Sequence, residues 1–145
     1  MEGPALETRA LQSIPFFAGL GEDEVRNVVG IGQRVRFEPG QPIVERGDAG
    51  DAMYVVLSGT AQVDVGGRYH DLKPGAFFGE MALLTTKKRM ATVKATEPVE
   101  ALKIQADDFQ KFLMQNASVA VSMLKALVER LREVEERIDA WMGTG

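Results

Sequence analysis

The sequence predicts an α+β domain in which helical segments at both ends flank a central, mainly antiparallel β-structure. Apolar residues recur at helical spacing at both ends of the chain, whereas residues 34–104 form short β-rich runs separated by glycine. These runs follow one another too closely for the crossover helices that parallel strands require. Many short strands with glycine turns predict a small barrel or jelly roll, which closes its sheet edges.

The first segment, from about residue 7 to 33, is predicted to form helices. Apolar side chains recur through residues 11–20, and the acidic run 22–24 precedes a second apolar stretch. Acidic side chains are favoured in the first turn of a helix, because they lie at the positive end of its dipole. Pro15 and several glycines interrupt the pattern, so short helices are expected rather than a single long one.

The central segment consists of runs that alternate or are continuously apolar, each followed by a turn signal. Its clearest strand candidates are VRF, PIVE, AMYVVL, TAQVDV, ATVKA and VEALKI. Between the fourth and fifth of these runs lies EMALL, which is a good helical turn inserted among strands.

The last segment returns to helical spacing over residues 106–142. A first helix is expected at 106–115, ended by Asn116, and a second at 118–142, which contains neither glycine nor proline. The second helix carries a heptad pattern, with Leu124, Leu131 and Ile138 at a and Leu127, Val134 and Trp141 at d. Three heptads is short for a stable coiled coil. Two interpretations remain open: the helix packs on its own domain, or residues 118–142 form a homodimer seam.

Composition excludes several classes of function. The 145 residues suit a single domain, 1–145, that buries roughly 70% of the surface of its unfolded chain. The chain has no cysteine, and its one histidine, His70, cannot by itself build a metal centre or a catalytic triad. A net charge of −4 argues against nucleic acid as a partner. With no signal-peptide pattern and no long apolar run, we expect a cytoplasmic protein without membrane insertion.

Residues 79–93, GEMALLTTKKRMATV, carry the strongest indication of a binding site. A short helix beginning at Gly79 would present free backbone N–H groups and the positive end of its dipole to an anion. Arg89 lies close enough in sequence to fold back over the same point, and a guanidinium binds phosphate oxygens in two-pronged fashion. Glu80 would then accept a hydrogen bond from a neutral hydroxyl. Lys87 and Lys88 are interpreted as solvated residues at the tip of the loop.

This stretch resembles the phosphate-binding cassette of the cyclic nucleotide-binding domain family. The resemblance rests on G-E-x-A-L at 79–83, on Arg89 six residues later, and on the Met-Ala-Thr-Val run that follows it. It extends to FEPGQPIVERGDAGDAMYVVLSGTAQV at 37–63 and to LKPGAFFGE before the cassette, so it covers about residues 11–132. Within the family, the chain looks most like the binding domain of a bacterial cyclic-nucleotide-gated channel, and it also resembles the regulatory domain of catabolite activators.

The resemblance implies an eight-stranded β-roll, or double-stranded β-helix, with one inserted short helix and a C-terminal helical lid. It implies a regulatory domain that binds cAMP, or cGMP, without chemistry and without a cofactor, and that acts on an effector the sequence does not identify. The expected ligand-binding residues are Gly79, Glu80, Met81, Ala82, Arg89, Met90, Ala91 and Arg130. Arg89 and the backbone of the cassette would hold the cyclic phosphate, Glu80 the ribose 2′-hydroxyl, Ala91 a further N–H, and Arg130 the base, with Trp141 the other candidate for capping it.

Two departures from the family pattern bear on selectivity and rigidity. Many relatives have proline before the cassette arginine, where this chain has Lys88, and this should loosen the tip. Many cGMP binders have threonine after the arginine, where this chain has Met90; a methionine lacks the hydroxyl, which favours cAMP. The alternative to ligand binding is a β-roll that serves as a dimerisation or scaffold module. A transcription factor of the catabolite-activator type would need a helix-turn-helix, for which residues 143–145 leave no room.

Overall fold

The computed structural model describes residues 5–143, so the first four and last two residues of the predicted domain lie outside the described part. Helical structure is found at both ends, as predicted. Helices α1 (Leu6–Gln12) and α2 (Glu22–Gly30) precede the sheets, with a 3-10 turn at Pro15–Phe17 between them. Helices α3 (Ala106–Gln115) and α4 (Ala117–Met142) follow the sheets and are separated by Asn116.

The described residues between α2 and α3 form eight strands and one inserted 3-10 helix. The strands are β1 (Gln33–Phe37), β2 (Pro42–Val44), β3 (Ala52–Ser58), β4 (Ala61–Val65), β5 (Arg68–Leu72), β6 (Phe77–Phe78), β7 (Thr92–Ala95) and β8 (Val99–Gln105). They build two four-stranded sheets in the orders β1-β8-β3-β6 and β2-β7-β4-β5, and every pairing is antiparallel. The inserted helix, Glu80–Leu83, lies between β6 and β7. The predicted α+β fold with an antiparallel β-roll is confirmed.

Strand β3 lies between two hydrophobic clusters and explains why the run AMYVV is apolar without interruption. Met53 and Val55 belong to the cluster shared with the helices, whereas Tyr54 and Val56 belong to the cluster between the sheets. Successive side chains of a strand point to opposite faces, so a strand covered on both faces needs apolar residues at every position. Each of residues 52–56 is buried. The helical cluster also contains Leu83 of the inserted helix, which is fully buried.

Helix α3 anchors the C-terminal segment, and most of α4 extends beyond the rest of the fold. Phe109 is fully buried, with its ring centroid 5.7 Å from that of Phe17 in the N-terminal 3-10 turn. In α4, Val119 and Met123 are buried against the helical cluster. The six heptad positions are exposed, from 37% at Leu127 to 88% at Trp141. Packing on its own domain therefore describes only the beginning of α4 and leaves the heptad face uncovered.

Within residues 5–143, none of the helices combines the length and the apolar character that crossing a bilayer requires.

Candidate functional site

The inserted helix begins where β6 ends, and glycine makes the change of direction possible. Gly79 has φ +78°, in the left-handed region that other residues adopt only with strain. A Cβ at this position would also overlap a terminal nitrogen of Arg89 and lie 2.9 Å from the carbonyl oxygen of Ala52. Ala82 and Leu83 bury the inner side of the helix. With these two side chains buried, Met81 is exposed and Glu80 is half-buried.

The start of this helix presents unpaired backbone donors. The N–H of Ala82 donates to the carbonyl of Gly79 at 3.0 Å. The first N–H groups of any helix have no acceptor within it. The N–H groups of Glu80 and Met81 donate no hydrogen bond to an acceptor among the described residues. Such groups attract an anion.

Arg89 returns to this helix start and is held there by its backbone. Its N–H donates to the carbonyl of Asp48 at 2.7 Å, and its carbonyl accepts from the N–H of Gly47 at 2.9 Å. The side chain is half-buried, and its Nη2 donates to the carbonyl of Ala52. Its Nε is buried and, within the described residues, has no hydrogen-bond partner. A buried, charged donor without an acceptor costs free energy. Such a donor is expected at a binding site, because a bound ligand can supply the missing acceptor.

A cavity of about 230 Å³ lies over Arg89 and the helix start. Five of the predicted ligand-binding residues line it, namely Gly79, Met81, Ala82, Arg89 and Met90. The remaining lining residues are Gly50, Thr85, Lys87 and Lys88. The described lining therefore has three basic side chains and no acidic one, which favours an anionic ligand.

Glu80 and Ala91 lie beside this cavity rather than in its lining. Glu80 is half-buried at the first position of the inserted helix, and within the described part of the chain its carboxylate has neither a hydrogen bond nor an ion pair. Ala91 is also half-buried and directly precedes β7. The free carboxylate remains available to accept a hydrogen bond from a ligand hydroxyl.

Arg130 and Trp141 are not brought to the cavity in this arrangement. Arg130 lines a separate groove of about 560 Å³ between α4 and the N-terminal 3-10 turn, where its Nη1 lies 3.9 Å from Glu133 Oε2. Glu129 and Glu133 both line that groove, so its charge is mixed and it does not favour a phosphate. Trp141 lies further along α4, where it lines a shallow groove with Val134, Arg137 and Ile138. Base contact by either residue stays a prediction that needs α4 in another position.

Sequence reasoning missed Gly50 and Thr85. The signal for Gly50 was present in the run GDAGD at 47–51, whose second glycine has no explanation in the local sequence. Thr85 carries no distinctive signal in the sequence. It lines the cavity because its N–H and its hydroxyl both donate to the carbonyl of Met81, at 2.9 and 3.3 Å.

The three methionines of interest differ in burial: Met53 is part of the core, whereas Met81 and Met90 are exposed at the cavity.

Comparison with known proteins gives a family match over most of the β-roll and α3. The model of the cyclic nucleotide-binding domain matches residues 34–116, which is more than half of the chain. A solved structure described as the N-terminal domain of a transcriptional regulator from Streptomyces coelicolor superposes with a TM-score of 0.76 at 28% identity, covering 88% of this chain and 95% of that one.

Curated relatives come from several kinds of regulated protein. A cyclic AMP receptor protein from Thermus thermophilus is 33% identical over 135 residues, covering 89% of this chain and 62% of the relative. A cGMP-dependent protein kinase from Toxoplasma gondii is 44% identical over 88 residues, covering 60% of this chain and 9% of the relative. A cyclic nucleotide-gated potassium channel from Mesorhizobium japonicum is 34% identical over 119 residues, covering 81% of this chain and 33% of the relative. The chain thus spans less than two thirds of the length of each of these relatives.

Proposed function

The chain belongs to the cyclic nucleotide-binding domain family, and we propose that it is a cytoplasmic regulatory module that binds cAMP in preference to cGMP and performs no chemistry on it. The observation that carries the proposal is the buried Nε of Arg89, which has no partner among residues 5–143 and lies beside a helix start where the N–H groups of Glu80 and Met81 also have none there. A cyclic phosphate carries the acceptor oxygens and the negative charge that both features lack.

Each predicted residue then has a role that fits its position. The guanidinium of Arg89 and the backbone N–H groups of Glu80 and Met81 bind the phosphate oxygens from two sides. The unpaired carboxylate of Glu80 accepts the ribose 2′-hydroxyl, and the backbone N–H of Ala91 adds a donor from the strand side. Met81, which is 73% exposed, becomes covered when the nucleotide is bound.

The preference for cAMP rests on Met90. Its side chain is 82% exposed at the cavity and has no hydroxyl with which to bind the guanine amino group. The names of the relatives do not favour either nucleotide, since they include a cyclic AMP receptor protein and a cGMP-dependent kinase. The expected discrimination is therefore modest, on the order of tenfold, which corresponds to about 1.4 kcal/mol.

Transmission of the binding signal is proposed to run through α3 to α4. The side-chain Nε2 of Gln110 in α3 donates to the carbonyl of Leu83 at 3.1 Å, which links α3 directly to the inserted helix. Asn116 then interrupts the helical path with φ −134° and ψ 67°, and α4 follows it. A ligand that contacts the cassette and α4 together shifts the population towards a closed lid. Arg130 is the residue of α4 proposed to reach the base in that closed state.

Calorimetric titration with cAMP and cGMP tests the proposal on three proteins: the wild type, Arg89→Ala and Lys88→Ala. Lys88 is the matched control, because it is the adjacent residue, carries the same charge and is exposed at the rim of the cavity. We expect micromolar or tighter cAMP binding to the wild type, at most a threefold loss in Lys88→Ala, and at least a hundredfold loss in Arg89→Ala. Absence of binding to the wild type at tens of micromolar would overturn the proposal, and equal losses in both variants would overturn the assignment of Arg89.

A second function, pairing of two copies through α4, is favoured by the uncovered heptad face. Leu124, Leu131 and Ile138 are each at least half exposed, and the face continues to Trp141. In a parallel pair, Arg130 at a g position comes next to Glu135 at an e position of the other helix. Analytical ultracentrifugation of the wild type, Leu131→Asp and Ala140→Asp tests this. We expect a dimer that is lost in Leu131→Asp and kept in Ala140→Asp, which adds the same charge away from the heptad face. A monomeric wild type at 100 μM would end this candidate.

A further inference from the structure

The segment between β2 and β3, residues 45–51, runs along the tip of the cassette and is bonded to residues 87–89 of that tip through backbone groups. Three hydrogen bonds join them: Gly47 N–H to the carbonyl of Arg89 (2.9 Å), Arg89 N–H to the carbonyl of Asp48 (2.7 Å) and Gly50 N–H to the carbonyl of Lys87 (2.7 Å). Ala49 and Lys88 form a bridge of antiparallel β type within this set. The tip that precedes Arg89 is therefore fixed by a segment that is remote in sequence.

Gly50 is the point of closest approach in this contact. It is buried, and a Cβ built on it would lie 2.5 Å from the carbonyl oxygen of Lys87, 3.6 Å from Arg89 Nε and 3.7 Å from the Cβ of Ala82. Its φ is outside the left-handed region, so the backbone conformation itself tolerates a side chain. The cost of a methyl group at this position is a clash with the backbone that leads into Arg89.

We propose that Gly50 is a positioning residue for the phosphate site. Because Gly50 has no side chain, the Lys87 carbonyl can approach closely enough to accept a hydrogen bond from the Gly50 N–H. This hydrogen bond fixes the backbone before Arg89 and thereby the position of the Arg89 guanidinium in the cavity. This inference rests on the proposed function. A methyl group must displace the Lys87 carbonyl by several tenths of an ångström at least, because ordinary contact begins near 3.4 Å. Binding constellations lose affinity when their groups move by about 0.5 Å.

Gly50→Ala and the control Gly40→Ala separate positioning from general stability. Gly40 has φ +85°, and no atom of another described residue beyond its chain neighbours lies within 4 Å of an added Cβ, so alanine there strains a turn without touching the cavity. We expect at least tenfold weaker cAMP binding for Gly50→Ala and less than a threefold change for Gly40→Ala, measured where denaturant titration shows both variants fully folded. Equal cAMP affinity of Gly50→Ala and the wild type would overturn the inference, as would an equal loss in both variants.

A second pair of measurements keeps the inference testable if Gly50→Ala does not fold or if the wild type does not bind. Replacement of Gly50 by glycolic acid removes its N–H without adding bulk, and we expect threefold or greater weakening of cAMP binding. In the ligand-free protein, the ¹H–¹⁵N signal of Arg89 Nε is expected to shift in both Gly50 variants that fold and to stay in place in Gly40→Ala. An unmoved Arg89 signal would overturn the positioning role, whereas a moved signal in a protein that binds no nucleotide would overturn the proposed function alone.

Discussion

Replacing Arg89 by alanine is expected to leave the free energy of unfolding of the ligand-free protein nearly unchanged. The substitution removes the hydrogen bond from the guanidinium to the Ala52 carbonyl, worth about 1.5–3 kcal/mol for a charged donor. It also removes the buried Nε, which finds no acceptor within residues 5–143 and whose desolvation costs about 1–3 kcal/mol. The two contributions have opposite signs, so we expect a net change within about 1 kcal/mol.

Urea denaturation followed by circular dichroism measures this change. With a slope of about 1–3 kcal/mol per molar urea, the midpoint should move by less than about 1 M. Arg34→Ala is the matched control, because Arg34 forms an exposed pair with Glu100 at 2.9 Å, and exposed pairs contribute about 0–1 kcal/mol. A saturating nucleotide at 100 times its dissociation constant should add about 2.7 kcal/mol to the wild type and to Arg34→Ala, and nothing to Arg89→Ala.

The result that would refute this reasoning is a loss of more than about 2 kcal/mol in ligand-free Arg89→Ala. Such a loss would mean that the bond to Ala52 outweighs the desolvation of the orphaned Nε, so that Arg89 serves the fold. If Arg89→Ala loses almost no stability without ligand and gains none from added nucleotide, Arg89 serves ligand binding and not the fold. Such a result is usual for a binding site, whose residues are often not optimised for stability.

Three further predictions concern other parts of the molecule. Phe109→Ala should lower the free energy of unfolding by about 3–5 kcal/mol, because a fully buried ring leaves a cavity; a urea midpoint unchanged from the wild type would contradict this. Met90→Thr should raise the ratio of cGMP to cAMP affinity by about threefold or more in calorimetry, since it adds a hydroxyl at the cavity, and an unchanged ratio would exclude that position as a determinant. If α4 pairs in parallel, Arg130→Glu should weaken the dimer several-fold in sedimentation and Glu135→Arg added to it should restore it; a dimer indifferent to both changes would rule out this contact.

Local sequence patterns were sufficient to predict most of the secondary structure. The end of α3 at Gln115 and of α4 at Met142 agree with prediction, because helical spacing and the break at Asn116 are properties of neighbouring residues. Strand β1 begins at Gln33, one residue before the predicted boundary of the β-region. The meeting of Gly79 and Arg89 at one cavity could also be predicted, since both lie within one short stretch of the chain.

The heptad face of α4 shows where the pattern was insufficient. The spacing of Leu124, Leu131 and Ile138 predicts an apolar stripe but does not say what covers it, because a stripe suits a neighbouring element and a second copy equally well. In the fold, the N-terminal 3-10 turn faces a different side of α4, which carries Ser122, Ala126 and Glu129, so the six heptad positions remain exposed. The same placement puts Arg130 in the groove beside that turn rather than at the cassette.

The sequence by itself determined the class of fold, the order of its helical and β-rich segments and five of the residues that line the cavity, because these follow from spacing along the chain and from side-chain chemistry. Tertiary structure alone decided that Arg89 Nε is buried without a partner in the described part of the chain and that the Gly50 N–H meets the carbonyl of Lys87. Both depend on the β2–β3 segment lying against the cassette, which brings together backbone groups far apart in the chain. Since every residue but proline carries the same backbone donor and acceptor, no pattern of side chains records which of them will meet.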